Sequence, residues 1–374
     1  MNNFPKFYNK IFDYSLKKST HVKFIDILKT KNIKNIKNND MYSSFGYNSS
    51  LILYLTKHIY NEFPIRIANR VTDLNNLPFG LSKNHSINKI REWYLTSFLE
   101  LTEISEPKTE NDIIHFKNII NNIYHRHSAT LITMSKGIYE LKIENKITDI
   151  NQPLIQQLLN RFHLNRTEIR ILLQHYLSLF DTQNNNHFGI INLNTKPYEI
   201  INDALENIQF ICDKNNIDII LTDIVVTNFD KNIVLPSIDN YLYYVIFELL
   251  KNSVQAVIEQ QKFNKDYIPS IFIDLCNIDD NYILIKIKDN GIGIKDIDIH
   301  KIWFYSFSNY PIEPTNIIED TDFSSSSPLS GFGYGLPISD IYINFFNSSS
   351  NNIKVDSLYK QGTNIYIYLK KYNS

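Results

Sequence analysis

The sequence predicts a helical bundle followed by an α/β sandwich, two domains of different texture in one chain of 374 residues. Three observations carry that reading. Long stretches with apolar residues at helical spacing run from about Asp40 to Phe180, with little strand signal between them. A polar, aperiodic stretch, DTQNNNHFG from Asp181 to Gly189, then interrupts the pattern. Beyond it, strand-like runs alternate with helices, which suits a sheet covered on one face by helices. The expected division is a leader over residues 1–20, a helical-bundle regulatory and docking domain over 21–182, and an α/β domain over 183–374.

The first twenty residues carry Lys6, Lys10, Lys17 and Lys18 against a single Asp13. Such a basic, acid-poor stretch suits an organellar transit segment, although it lacks arginine, and an ordinary helix and loop is the equal alternative. The first long helix, NSSLILYLTKHIYNEFPIRIANRVTDL, places Leu51, Leu53, Leu55, Ile59 and Phe63 ahead of Pro64, which is expected to kink or restart it. LPFGLS, from Leu77 to Ser82, is a turn. INKIREWYLTSFLELTEI, NDIIHFKNIINNIYHRHSATLITMSKGIYELKI and QPLIQQLLNRFHLNRTEIRILLQHYLSLF predict three further long helices. His125 and His127, two apart on a helix, diverge and make a poor ligand pair, and His175 is expected to be a structural histidine. Arg161, Arg166 and Arg170 share roughly one side of their helix and are expected to form a solvated charged face.

In the second half, strands are expected at 217–227, 270–278, 282–289 and 363–370, and helices at 197–214, 239–262 and 336–346. Six of the ten glycines fall from Gly291 onward, three of them in GFGYGLPIS, Gly331 to Ser339. A glycine-rich turn feeding a helix with Pro337 in its first turn aims N–H groups and the positive end of the helix dipole at one point, which suits phosphate. In FELLKNSVQAVIEQ, Glu248 and Asn252 are four apart and share a helix face, where a carboxylate and a carboxamide can order a hydroxyl and a hard cation such as Mg²⁺. DNGIG, Asp289 to Gly293, ends a strand: its carboxylate can accept from an adenine amino group, and its glycines let backbone pass close to the ring. Thr363 opens the last strand and can bring its hydroxyl to the base. Lys295 to Ser330 is a long connection, and a lid over nucleotide fits it.

Composition sets outer limits. Net charge is −1, from 38 basic and 39 acidic residues, so no nucleic-acid partner is implied. No apolar run approaches the roughly 18 residues a membrane span requires. Cys212 and Cys276 are too few for a disulfide framework or a four-thiolate site, which points to a reducing compartment.

The order ExxxN, DxGxG, connection, GxGxG, GT resembles the ATP-binding domain shared by gyrase, Hsp90, histidine kinases and MutL, the GHKL superfamily with its Bergerat-type sandwich. In detail ELLKNSVQAVIE, GFGYGLPIS and GTNIYIYLK, together with NEFPIRIANRV, IREWYLTSF, HRHSATLITMSKGI and NRFHLNRTEIRILLQHY, are similar to the mitochondrial 2-oxoacid dehydrogenase kinases, the pyruvate and branched-chain enzymes. That similarity spans about Leu51 to Lys371. It implies ATP- and Mg²⁺-dependent phosphorylation of serine on the E1 component of a 2-oxoacid dehydrogenase complex in the mitochondrial matrix, recruitment through the lipoyl domain of the E2 core, and a homodimer. A histidine kinase-like ATPase and a non-catalytic ATP-binding regulator are the alternatives, and the first lacks a convincing phosphoacceptor histidine motif ahead of the ATP domain. By the resemblance Glu248 is the general base, Asn252 the Mg²⁺ ligand and Asp289 the adenine reader. Lys251, Gly291, Gly293, Ser308, Gly331, Phe332, Gly333, Tyr334, Gly335, Leu336 and Thr363 complete the nucleotide site. The chain departs from the family at Tyr244, where pyruvate-type members carry histidine, at Gln255 in place of arginine, at DNGIG in place of DRGGG, and at Asn309 in place of threonine. It ends at Ser374 without the long tail that crosses between subunits in pyruvate-type enzymes, and this, with Tyr244, leans the reading towards the branched-chain type.

Overall fold

The computed structural model describes residues 4–31, 49–144, 153–181, 186–214, 224–264, 266–268, 270–308 and 333–372. The chain forms two compact units that meet in sequence at Ile190 and Ile191.

The first unit is helical: α1 (Phe4–Ser15), α2 (Phe24–Thr30), α3 (Ser49–Asn75), α4 (His85–Glu103), α5 (Glu110–Arg126), α6 (Thr130–Ile143) and α7 (Pro153–Ser178), then the short β1 (His187–Phe188). Its starts are coded locally. Asn84 caps α4 by accepting from the Ile87 N–H, and Thr109 with Asp112 forms a capping box at α5. Pro64 does not end its helix, because α3 runs through it for 27 residues and packs on α1, α4 and α7. Burial of Phe63 before the proline and of Ile67, Val71 and Leu74 beyond it offsets the lost hydrogen bond. The stretch expected as one helix from Asn111 to Ile143 breaks at His127–Ala129, separating α5 from α6.

One expectation is overturned here. Arg166 and Arg170 are 3% and 7% exposed, so they turn into the bundle beside Tyr94 and His127, and only Arg161 faces solvent. Spacing along a helix shows which residues share a side but not whether that side faces water. His175 is buried against Phe188, as its structural reading required.

The second unit holds β2 (Ile191–Thr195), α8 (Pro197–Lys214), β3 (Ile224–Phe229), β4 (Leu235–Ser237), α9 (Asp239–Phe263), β5 (Ile271–Asn277), β6 (Tyr282–Asp289), α10 (Gly335–Asn347), β7 (Ile353–Leu358) and β8 (Gly362–Lys370). Five strands form one sheet in the order β3-β5-β6-β8-β7, with β3 and β5 parallel and the rest antiparallel. Alternation decides its inner face: Ile271, Ile273, Leu275, Ile283, Ile285, Ile287, Ile365, Ile367 and Leu369 are buried, with α9 on β6 and α10 on β8. The β6–β8 register pairs Asp289 with Thr363, so two sequence-distant motifs meet at one end of the sheet. Among the described residues no helix is long and apolar enough to cross a membrane.

Candidate active site

Helix α9 carries the first two functional side chains. Its buried stripe, Leu242, Val245, Ile246, Leu249, Leu250, Val254 and Val257, fixes it on the sheet and leaves Glu248 and Asn252 together on another face. Asp239 anchors the first turn by accepting from the side chains of Asn192 and Thr195 on β2. The Glu248 side chain is 13% exposed and its Oε1 lies 2.8 Å from the Lys251 ammonium. Asn252 is exposed and lines the same cavity.

Asp289 sits at the far end of β6, only 3% exposed. Burial pushes its pKa up to about 6, partly countered by the Gly291 and Thr363 amides. Both amides donate to Oδ1, at 3.0 and 3.2 Å, so Oδ2 keeps the capacity for a further donor. The Thr363 hydroxyl is 2.9 Å from that of Ser357, which also accepts the Ile294 N–H at 2.9 Å. This network ties the start of β8 to the loop after β6.

The glycines make room. Gly333 adopts φ +75°, and a Cβ there would lie 2.6 Å from the Phe307 backbone nitrogen, so no other residue fits unchanged. Gly335 begins α10, where a Cβ would run into Glu248 Oε2. Among the described residues no side chain caps this helix, so its first N–H groups, beside Gly335 and Leu336 in the cavity wall, offer an anion site with the helix dipole behind it.

These pieces converge on one cavity of about 220 Å³. Of the expected site residues, Glu248, Asn252, Asp289, Gly293, Ser308, Gly333, Gly335, Leu336 and Thr363 line it. Lys251, Gly291 and Tyr334 stand behind its wall: Lys251 is 2% exposed, Gly291 lies against the Ala256 backbone, and Tyr334 packs edge-on to Tyr305 at 5.4 Å. Gly331, Phe332, Asn309 and most of the expected lid lie outside the described residues. Sequence reasoning missed the apolar wall, Ile292, Ile294, Ile302, Phe307, Val355 and Ile365, which a flat purine ring requires. The period-two run in β8 pointed to Ile365, whereas Val355 belongs to a strand with no such signal.

A cation can be accommodated. Among the described residues no three His, Cys, Asp or Glu side chains gather into a cage. A metal here would rest on one or two protein oxygens and on phosphate, the arrangement Mg²⁺ favours, and the exposed Asn252 amide oxygen beside Glu248 supplies that.

An antiparallel-rich sheet under helices, with a buried carboxylate, a glycine turn and an uncapped helix start around one cavity, defines a GHKL-type ATP-binding domain. Residues 238–373 match the family model of the histidine kinase-, DNA gyrase B- and HSP90-like ATPases, and residues 35–192 that of mitochondrial branched-chain alpha-ketoacid dehydrogenase kinase. Mouse mitochondrial pyruvate dehydrogenase (acetyl-transferring) kinase isozyme 3 is 31% identical over 327 residues, 84% of this chain and 75% of that one. Human isozyme 4 is 31% identical over 321 residues, with the same coverage, and human isozyme 1 is 30% identical, covering 83% of this chain and 71% of its own. The chain belongs to the mitochondrial 2-oxoacid dehydrogenase kinase family, as its motifs implied.

Proposed function

We propose that this chain is an ATP-dependent protein-serine kinase that phosphorylates, and thereby inactivates, the E1 component of a pyruvate or branched-chain 2-oxoacid dehydrogenase complex in the mitochondrial matrix. The observation that carries this is the placement of the carboxylate of Glu248 in the wall that also holds Asn252, Asp289 and the uncapped start of α10.

Asp289 Oδ2 accepts from the adenine amino group while the apolar wall covers the ring. The backbone of Gly333 and Gly335 holds the phosphates against the α10 N-terminus. The serine hydroxyl attacks the γ-phosphorus, its proton passes to Glu248, and the β–γ bridging bond breaks with its electron pair leaving on ADP. Asn252 would hold Mg²⁺, which supplies charge neutralisation between the phosphates. The remaining work is positioning, because a loose phosphoryl-transfer transition state needs little covalent help from protein. Recruitment through a lipoyl domain of the E2 core and assembly as a homodimer belong to the same reading.

The test is purified protein with Mg-ATP, E1 and its cognate E2 core, run with pyruvate and branched-chain complexes in parallel. Acid-stable phosphoserine that forms at least 10²-fold more slowly, but measurably, in Glu248→Gln is expected. Acid-labile phosphate on the kinase itself would instead make it a histidine kinase. Nucleotide binding without turnover on either complex would make it a regulator, the outcome that Tyr244 and Gln255 would explain.

A further inference from the structure

The ion pair behind the cavity wall is unused by the scheme above. Lys251 is 2% exposed and is absent from the described lining of the cavity, and its ammonium turns to Glu248. Nζ lies 2.8 Å from Glu248 Oε1 and 5.4 Å from the Phe247 ring. The other carboxylate oxygen, Oε2, packs on Gly335, close enough that a Cβ there would collide with it. Glu248 is therefore held from two sides, by a buried cation on its own helix and by the first residue of α10. One turn earlier Tyr244 turns its ring edge to Tyr342 of α10 at 5.4 Å, and a phenol is not a base at neutral pH as an imidazole is.

Resting on the kinase reading above, we infer that Lys251 is the positioning residue of the catalytic base: it fixes the rotamer of Glu248, with the start of α10 as the opposing stop, and makes no contact with nucleotide. With its side chain 2% exposed, the Lys251 ammonium has little water competing for it, so it holds the carboxylate oxygen it faces more firmly than a surface lysine would. It also leaves one geometry for the carboxylate, so the base meets the substrate hydroxyl without having to reorganise. The contact of Oε2 with Gly335 means that whatever orders the α10 start also orders the base.

The experiment compares Lys251→Met, Lys251→Arg, Glu248→Gln and the double variant in the E1 assay, with ATP affinity measured by calorimetry as the check on folding. Lys251→Met is expected to lower kcat by about 10²-fold, the scale of lost acid–base assistance, with the Kd for ATP within about twofold of the parent. Lys251→Arg, which keeps the charge, is expected to stay within about tenfold of the parent kcat. In the Glu248→Gln background, Lys251→Met is expected to cost nothing further, since a group acting through Glu248 has nothing left to act on. An unchanged kcat in Lys251→Met, a Kd weakened in step with kcat, or an equal further loss in the double variant each overturns the inference. If Lys251→Met does not fold, Lys251→Arg decides: a loss near 10²-fold with ATP affinity intact overturns it. A parent protein that never phosphorylates E1 sinks the kinase reading itself, whereas turnover in the parent with an indifferent Lys251→Met sinks only this inference.

Discussion

Asp289 is the residue where function and stability pull against each other. Its carboxyl titrates at about 6 in the fold, against 3.8 for the free group, because burial penalises the charge more than two amides repay it. The group therefore contributes stability that is fully present below pH 3.8 and lost as pH rises through about 6. At neutral pH the buried carboxylate costs the empty protein about 3 kcal/mol on that shift. On the proposed role, adenine recognition is strongest with the ionised form, because both amides occupy Oδ1 and protonation would put a hydrogen on Oδ2, the oxygen offered to the amino group. ATP affinity should accordingly weaken about tenfold per pH unit below 6, measurable by calorimetry between pH 5 and 8, and a flat profile would refute the assignment. Asp289→Asn keeps an oxygen for the Gly291 and Thr363 amides. It should raise the apo Tm at pH 7 while ATP binding falls at least tenfold.

At the scale of elements, two glycine contacts that look alike should behave differently. The loop after β6 lies on α9, where a Cβ on Gly291 would be 2.6 Å from the Ala256 carbonyl carbon, and the Ile292 N–H donates to Ala256 O at 3.0 Å. Backbone cannot yield there, so Gly291→Ala should cost about 1–3 kcal/mol in denaturant unfolding and weaken ATP as the loop lifts. A Cβ on Gly335 meets instead the end of the flexible Glu248 side chain. Gly335→Ala should therefore unfold within about 1 kcal/mol of the parent yet lose at least tenfold in kcat, and an intact kcat would mean that Oε2 does not rest there. The elements themselves were largely legible: the period-two run of β6 and β8, the α9 stripe and the proline-led start of α10 all follow from local pattern. What was not legible depends on tertiary partners. Alternation along β7 is obscured by Ser357 on its inner side and the exposed Leu358, Pro64 is outweighed by burial around it, and helical periodicity placed Arg166 and Arg170 on one side without saying that α5 and the Tyr94 ring would cover it. In the same way Glu248 and Asn252 were readable from their spacing of four, whereas the burial of Lys251 was not, because an i, i+3 pair on a helix is exposed or hidden according to what packs over it.

For the whole molecule, the two units carry buried ionisable groups of opposite sign, and acid should separate them. In the helical unit burial lowers His127 to about 3, with Arg126, Arg166 and Arg170 adding to the effect, and lowers His175 to about 4. Each contributes stability present above the unfolded value of 6.5 and lost as pH falls towards the folded value, about 2 kcal/mol apiece between pH 7 and 5. His163, also fully buried and well below 6.5, adds in the same direction. In the second unit Asp289 and Asp340 are both raised by burial to about 6, so protonating them between pH 7 and 5 adds about 1 kcal/mol each to its folded state. Native-state hydrogen exchange, corrected for intrinsic rates, should show protection in α5 and α7 falling at pH 5 while that in β6 and β8 holds or rises. His175→Phe should blunt the acid loss in the helical unit, because the ring already packs on Phe188 and the proton it would take up on unfolding is gone. Uniform loss of protection across both units would mean that they open as one cooperative body and that these buried groups do not set the acid limit.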